Sequence, residues 1–305
     1  MTKSVAFLKF RTLLEQEIRT FWHVLASFEY AERWLNSNTA SRLTLFPGDN
    51  KYPFTAIDIP PADFIAEQSA VAHHIRENAL VSFITTFECY LFELLERLIY
   101  LEPALVSDSD IQISVKQLAA AVPEDMRRWL ATRVADKYLR NKTHAEMISR
   151  LDTLCKAGVS KQLSAEVAEW SLWSLARNSI VHTSRQVTSD LSKAWPTRFP
   201  ASGGQLNLQN KELARVHHLA LKIAAAIDAR AIASVIHRRD ELLIARELFV
   251  QRGIDQPNAL KSALGKVMSV KSTRPELERM LAEKRRGTNS DRWELSVRDL
   301  GLIAI

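Results

Sequence analysis

The chain has 305 residues, 47% of them hydrophobic and 25% charged, and its 41 Lys and Arg outnumber its 35 Asp and Glu for a net charge of +6. This is the balance of an ordinary globular protein with one large or two average domains. Glycine is scarce, at 8 residues; the eight build neither a GxGxxG nor a GxxxxGK[ST] phosphate cradle, and too few turns remain for a β-sandwich or barrel, which leaves a mostly helical fold.

The first 36 residues read as one amphipathic helix, with Phe7, Leu8, Leu14, Ile18, Phe21, Trp22, Leu25 and Phe28 at three- and four-residue steps and Asn36, Ser37 and Asn38 at its end. Its apolar opening is too short for a signal peptide. Residues 37–61 carry four prolines and a Pro-Gly-Asp-Asn turn, which predicts a loop with room for a short strand pair. A second long helix is expected from Ala62 to Leu101, stopped before Pro103, with a centre apolar on most faces. Shorter helices follow at Ser114–Val122, Pro123–Arg140 and Thr143–Ala157, the last ended by Gly158. The fifth helical segment spans Ser164–Val187. After a Pro- and Gly-bearing loop at 195–207, an alanine-rich helix is expected at 208–237 and further helices near Asp240–Gln251 and Pro275–Arg286. The organisation this suggests is an N-terminal helix and loop over 1–61, a helical domain over 62–238 and a small basic extension over 239–305.

Cys89 and Cys155 sit in apolar helical patterns, as small buried hydrophobes do, and no CxxC pair exists for zinc or redox chemistry. No uninterrupted apolar run reaches the ~18 residues of a membrane span, so a soluble, cytoplasmic chain with no membrane association is expected. Between Arg252 and Arg292, ten Lys and Arg face five Asp and Glu. Such a local excess is either a footprint for phosphate backbones or a solvated helix face.

Conventional catalytic signatures (GxSxG, HExxH, an EF-hand loop) are missing from the sequence. The pairs His73–His74 and His217–His218 are adjacent helical residues about 100° apart, which do not easily share one ion; no metal site and no cofactor is expected. With neither a glycine cradle nor a metal cluster, phosphate chemistry falls to side chains. The best-placed pair lies in Arg177-Asn178-Ser179-Ile180-Val181-His182, at the end of an aromatic-rich helix.

That segment resembles the HEPN superfamily, whose mark is Arg-x(4–6)-His, commonly with Asn, Asp or His directly after the Arg. The stretch from Phe83 to Glu93 (FITTFECYLFE) is similar to the early HEPN helix that packs against the motif helix. The resemblance covers roughly 62–238. Two look-alikes, Arg230 with His237 and Arg140 with His144, lack the helix-end setting or the spacing.

The resemblance implies an all-α, HEPN-like helical bundle acting as a metal-independent endoribonuclease. In such an enzyme the 2′-OH attacks the phosphorus and leaves a 2′,3′-cyclic phosphate and a 5′-OH. RNA is then the substrate, a toxin or antiviral effector the setting, and a neutralising or activating protein a further partner. Carried over residue by residue, His182 handles a proton near neutral pH, Arg177 neutralises charge growing on the phosphorane, and Asn178 orients one of them. Five residues of helix turn Arg177 and His182 ~140° apart. Either the helix loosens at Ser179–Val181 or two chains pool their motifs, as HEPN homodimers do across a shared cleft.

Glu88 interrupts a very apolar surface, and a buried carboxylate needs a partner; Arg177 is one option, another arginine or solvent the others. Trp170 and Trp173 read as core rather than as a base-stacking platform. Two other classes stay open: a non-catalytic HEPN-like scaffold, and a regulator that binds DNA through 239–305.

Overall fold

A computed structural model describes residues 2–106, 126–289 and 291–303. Among the described residues there are twelve α-helices and no strand, so the expected all-α class is observed. In chain order they are α1 (Val5–Asn36), α2 (Pro61–Leu101), α3 (Met126–Leu139), α4 (His144–Cys155), α5 (Val159–Gln162), α6 (Ser164–His182), α7 (Ser189–Ala194), α8 (Asn210–Ala231), α9 (Arg239–Arg252), α10 (Pro257–Gly265), α11 (Arg274–Arg285) and α12 (Val297–Ile303). The helix expected at Ser114–Val122, and the start of the one from Pro123, lie outside the described residues.

The loop at 37–60 holds 3-10 turns at Leu43–Leu45 and Phe54–Ile57 in place of a strand pair. Gly158 does not end α4. Lys156 does, in the left-handed region at φ 49°. Asp152 explains the difference, because its carboxylate accepts the N–H groups of Val159 (2.9 Å) and Ser160 (2.5 Å) and draws α5 into place directly after Gly158.

The chain divides into two compact units. The first comprises Met1–Leu14, Ile84–Ser174 and His218–Ile305, the second Glu15–Phe83 and Leu175–His217. In the first unit an aromatic cluster forms the core: Phe10 meets Tyr90 at 5.0 Å and Phe87 meets Trp170 at 4.6 Å between ring centroids. Trp170 and Trp173 are 0% and 2% exposed, so neither is open to a nucleic-acid base. The start of α1 is buried here. Its Ser4 hydroxyl caps the Phe7 N–H, while the N–H groups of Ser4 and Val5 donate to Asp228 and Asp240. Arg97 in turn pairs with Asp240 and Asp291, each at 2.7 Å. The second unit has a smaller apolar cluster of Leu35, Leu43 and Phe46, with Ile59, Phe64 and Ile65 packed on it.

α2 carries a window long and apolar enough to span a membrane by composition, half of it buried within the protein. Leu80, Phe83, Ile84, Phe87 and Leu91 on it are fully enclosed, as befits a core helix. Cys155 is buried as expected, but Cys89 is exposed, on the outward side of α2.

Burial pushes the Asp228 carboxyl from 3.8 up to about 6, against the opposing pull of Ser4 and Lys3. The folded chain therefore binds this proton more tightly than the unfolded chain does. The stability it confers is complete below the ordinary carboxyl range and is lost as pH rises toward about 6. Asp228→Asn keeps an oxygen for the Ser4 N–H without the charge. It is expected to melt higher than wild type at neutral pH and to show a flatter melting profile between pH ~4 and ~6; thermal melts across that range check both.

Candidate functional site at the end of α6

The buried stripe of α6 recurs every three residues at Val167, Trp170, Trp173, Ala176 and Ser179. Arg177, Asn178 and His182 fall off that stripe. Arg177 is half-buried, and Asn178 and His182 are exposed. The Arg177 Nη1 donates to Asn178 Oδ1 at 3.1 Å, so Asn178 orients the guanidinium. The helix stays regular through Ser179–Val181 to His182, which removes local loosening as a way to bring Arg177 and His182 onto one phosphate.

The helix ends in a tightly held turn. The Ser179 carbonyl accepts the Thr183 hydroxyl (2.8 Å) and the Thr183 and Arg185 N–H groups (3.3 and 3.2 Å). Ser184 and Arg185 both lie in the left-handed region, at φ 51° and 68°. Neither is glycine, so each carries a strain of about 1 kcal/mol. This is why the helix stops at His182 although its pattern runs on to Val187. The turn is fixed from outside by pairing with the following loop, through Leu206 N–H to Arg185 O (3.0 Å) and Val187 N–H to Gly204 O (2.8 Å).

The side chain of Arg185 makes the decisive contact. Its Nε donates to Glu77 Oε2 at 2.7 Å. Glu77 lies on α2 and is 0% exposed. The same oxygen accepts from His74 Nδ1 at 3.2 Å, and His73 Nε2 lies 3.2 Å from the other oxygen, out of hydrogen-bond alignment. Because a carboxylate oxygen accepts, His74 Nδ1 carries a proton toward Glu77, and Nε2 is the nitrogen turned away from it. His74 is half-exposed, so that nitrogen is accessible. A buried carboxylate holding an imidazole by Nδ1 is how a histidine is set up as a general base.

Glu88, on the α2 segment of the other unit, accepts from His144 Nε2 at 2.8 Å, and His144 Nδ1 accepts from the Trp170 indole at 2.7 Å. Since the indole N–H only donates, the His144 proton is fixed on Nε2. His144 is buried, so this chain of bonds ties α2, α4 and α6 together as a core network, and Glu88 belongs to it.

Sequence reasoning missed Glu77, His74, Arg185 and His144 as site or network residues. The spacing of His73 and His74 at four and three residues before Glu77 was the readable signal. The Glu77–Arg185 pair spans 108 positions and left none. Among the described residues, no group of three or more His, Cys, Asp and Glu is arranged to hold a metal ion.

Comparisons with family models, with curated proteins and with solved structures give no match.

Arg185→Ala strands the enclosed Glu77 carboxylate and releases the strained turn. A loss of roughly 1–3 kcal/mol is expected, discounted because Arg185 itself is half-exposed. Arg185→Lys restores the charge without the planar fork and recovers only part of it. Urea denaturation of the three proteins checks this, and equal midpoints contradict it.

Proposed function

We propose that the protein is a metal-independent endoribonuclease of HEPN type that cleaves RNA by 2′-OH attack. The observation that supports this most is buried Glu77, which holds His74 by Nδ1 and, through Arg185, the turn that closes the helix of His182. Cleavage of this kind needs two proton transfers and one fixed cation. His74 Nε2 takes the 2′-OH proton. The 2′-oxygen then bonds to phosphorus as the bond to the 5′-oxygen breaks. His182 returns a proton to the departing 5′-oxygen, and Arg177, aimed by Asn178, neutralises the phosphorane.

Because a regular α6 turns Arg177 and His182 ~140° apart, the working site is composite, with two copies of the chain pairing as a homodimer and pooling their motifs. The resemblance supplies the setting: a cytoplasmic toxin or antiviral effector, with a neutralising or activating protein partner.

Incubation of single-stranded RNA with the protein in EDTA tests the proposal. His182→Ala and His74→Ala are each expected to lower the cleavage rate by roughly 10²–10⁴-fold. The exposed His182 leaves the melting temperature unchanged, while His74→Ala lowers it by withdrawing a hydrogen bond from buried Glu77, so rates are compared well below both melts. Arg177 is half-buried, so Arg177→Lys is the informative variant there; it keeps the charge and loses the fork, and slows cleavage. The wild-type rate should be bell-shaped in pH, with His74→Ala losing the basic-group limb. Wild-type rates in either histidine variant contradict the assignment, and a fully active monomer in sedimentation contradicts the pairing.

A further inference from the structure

In the first unit several arginines are matched to carboxylates. Arg97 has Asp240 and Asp291, Arg246 has Glu247, Arg238 has Glu276 and Arg274 has Glu278. Arg127, Arg239 and Arg279 are different in that they converge without one. None of them has a carboxylate within ion-pair distance among the described residues, and all three line one cavity of about 510 Å³. Two are pinned side by side: Arg127 Nη2 and Arg239 Nη1 donate to the same oxygen, the carbonyl of Leu101 that ends α2, at 3.1 and 3.3 Å. Arg127 also lies over the Tyr100 ring, 5.2 Å from its centroid.

The wall carboxylates do not neutralise this group. Glu276 is taken by Arg238 and by the Thr273 cap, and Asp291 by Arg97 and the Trp293 N–H. Glu283 is the one left facing three guanidinium groups. All three side chains are exposed, so their free N–H groups face solvent and an incoming anion. Fixed guanidinium forks with spare N–H groups match phosphate oxygens in both charge and geometry. The rest of the wall is apolar, from Leu242, Leu243 and Met280, and the volume falls within the range of small-molecule sites.

We infer that this cavity binds a small organic phosphate of nucleotide size, its phosphates on Arg127, Arg239 and Arg279 and its organic part against Leu242, Leu243 and Met280. The inference does not rest on the ribonuclease proposal.

Calorimetric titration of the full chain with ADP tests it, with adenosine as the phosphate-free control. Binding of ADP but not adenosine is expected, weakened tenfold or more by Arg279→Ala. Among the described residues Arg279 makes no hydrogen bond or ion pair that its removal would break, so that variant keeps its melting temperature. Arg239→Ala should weaken binding likewise, and Arg274→Ala, whose side chain pairs with Glu278 outside the cavity, should bind as wild type does. Absence of ADP binding overturns the inference, as does binding that survives both Arg279→Ala and Arg239→Ala. Binding of a single-stranded RNA oligomer, lost in Arg279→Ala while ADP fails to bind, overturns it in favour of a polynucleotide surface.

Discussion

A carboxylate with no access to water must be met by cations or carry an uncompensated charge at large cost, and Glu77 is enclosed completely. The groups that meet it come from separate stretches of the chain. Arg185, which follows the helix that carries Arg177 and His182, supplies the cation, and His74, one helical turn away on α2, donates a hydrogen bond to the same oxygen. One buried charge thus fixes the ring orientation of His74 and holds a turn of two left-handed residues. It also fixes where α6 ends. The pair is part of the fold's support and part of the site's geometry together.

The first unit shows the same logic applied twice with opposite results. At the start of α1, Asp228 and Asp240 supply acceptors to the buried N–H groups of Ser4 and Val5, and Arg97 compensates Asp240. The Asp240 charge there has its complement within the protein. At the end of α2, the Leu101 carbonyl collects two guanidinium groups whose charge is not matched from inside. A closed network of the first kind stabilises the fold; an open one of the second kind leaves guanidinium N–H groups that a ligand can take.

Much of the fold was legible because long helices announce themselves by period. The apolar steps from Phe7 to Phe28 placed α1, and Pro103 placed the end of α2. Trp170 and Trp173 read correctly as core. What the sequence concealed depends on contacts between distant residues. Gly158 looked like a helix end, yet Asp152 bonding to the N–H groups of Val159 and Ser160 shifts that end to Lys156. The helix of the motif looked able to run to Val187, and the turn anchored by Glu77 stops it five residues earlier. Within the candidate site, Arg177, Asn178 and His182 stood out by spacing alone. Glu77 and Arg185 did not, since no local pattern marks two oppositely charged residues 108 positions apart as partners.

The chemistry assigned to the site requires the 2′-oxygen of the substrate itself to be the nucleophile. The most direct measurement is therefore mass spectrometry of the ends left on a defined RNA, beside the same RNA carrying a 2′-deoxy sugar at the cleaved position. The account predicts 2′,3′-cyclic phosphate and 5′-hydroxyl ends and an intact deoxy-substituted strand. Ends bearing a 3′-hydroxyl, or cleavage at the deoxy position, would contradict it.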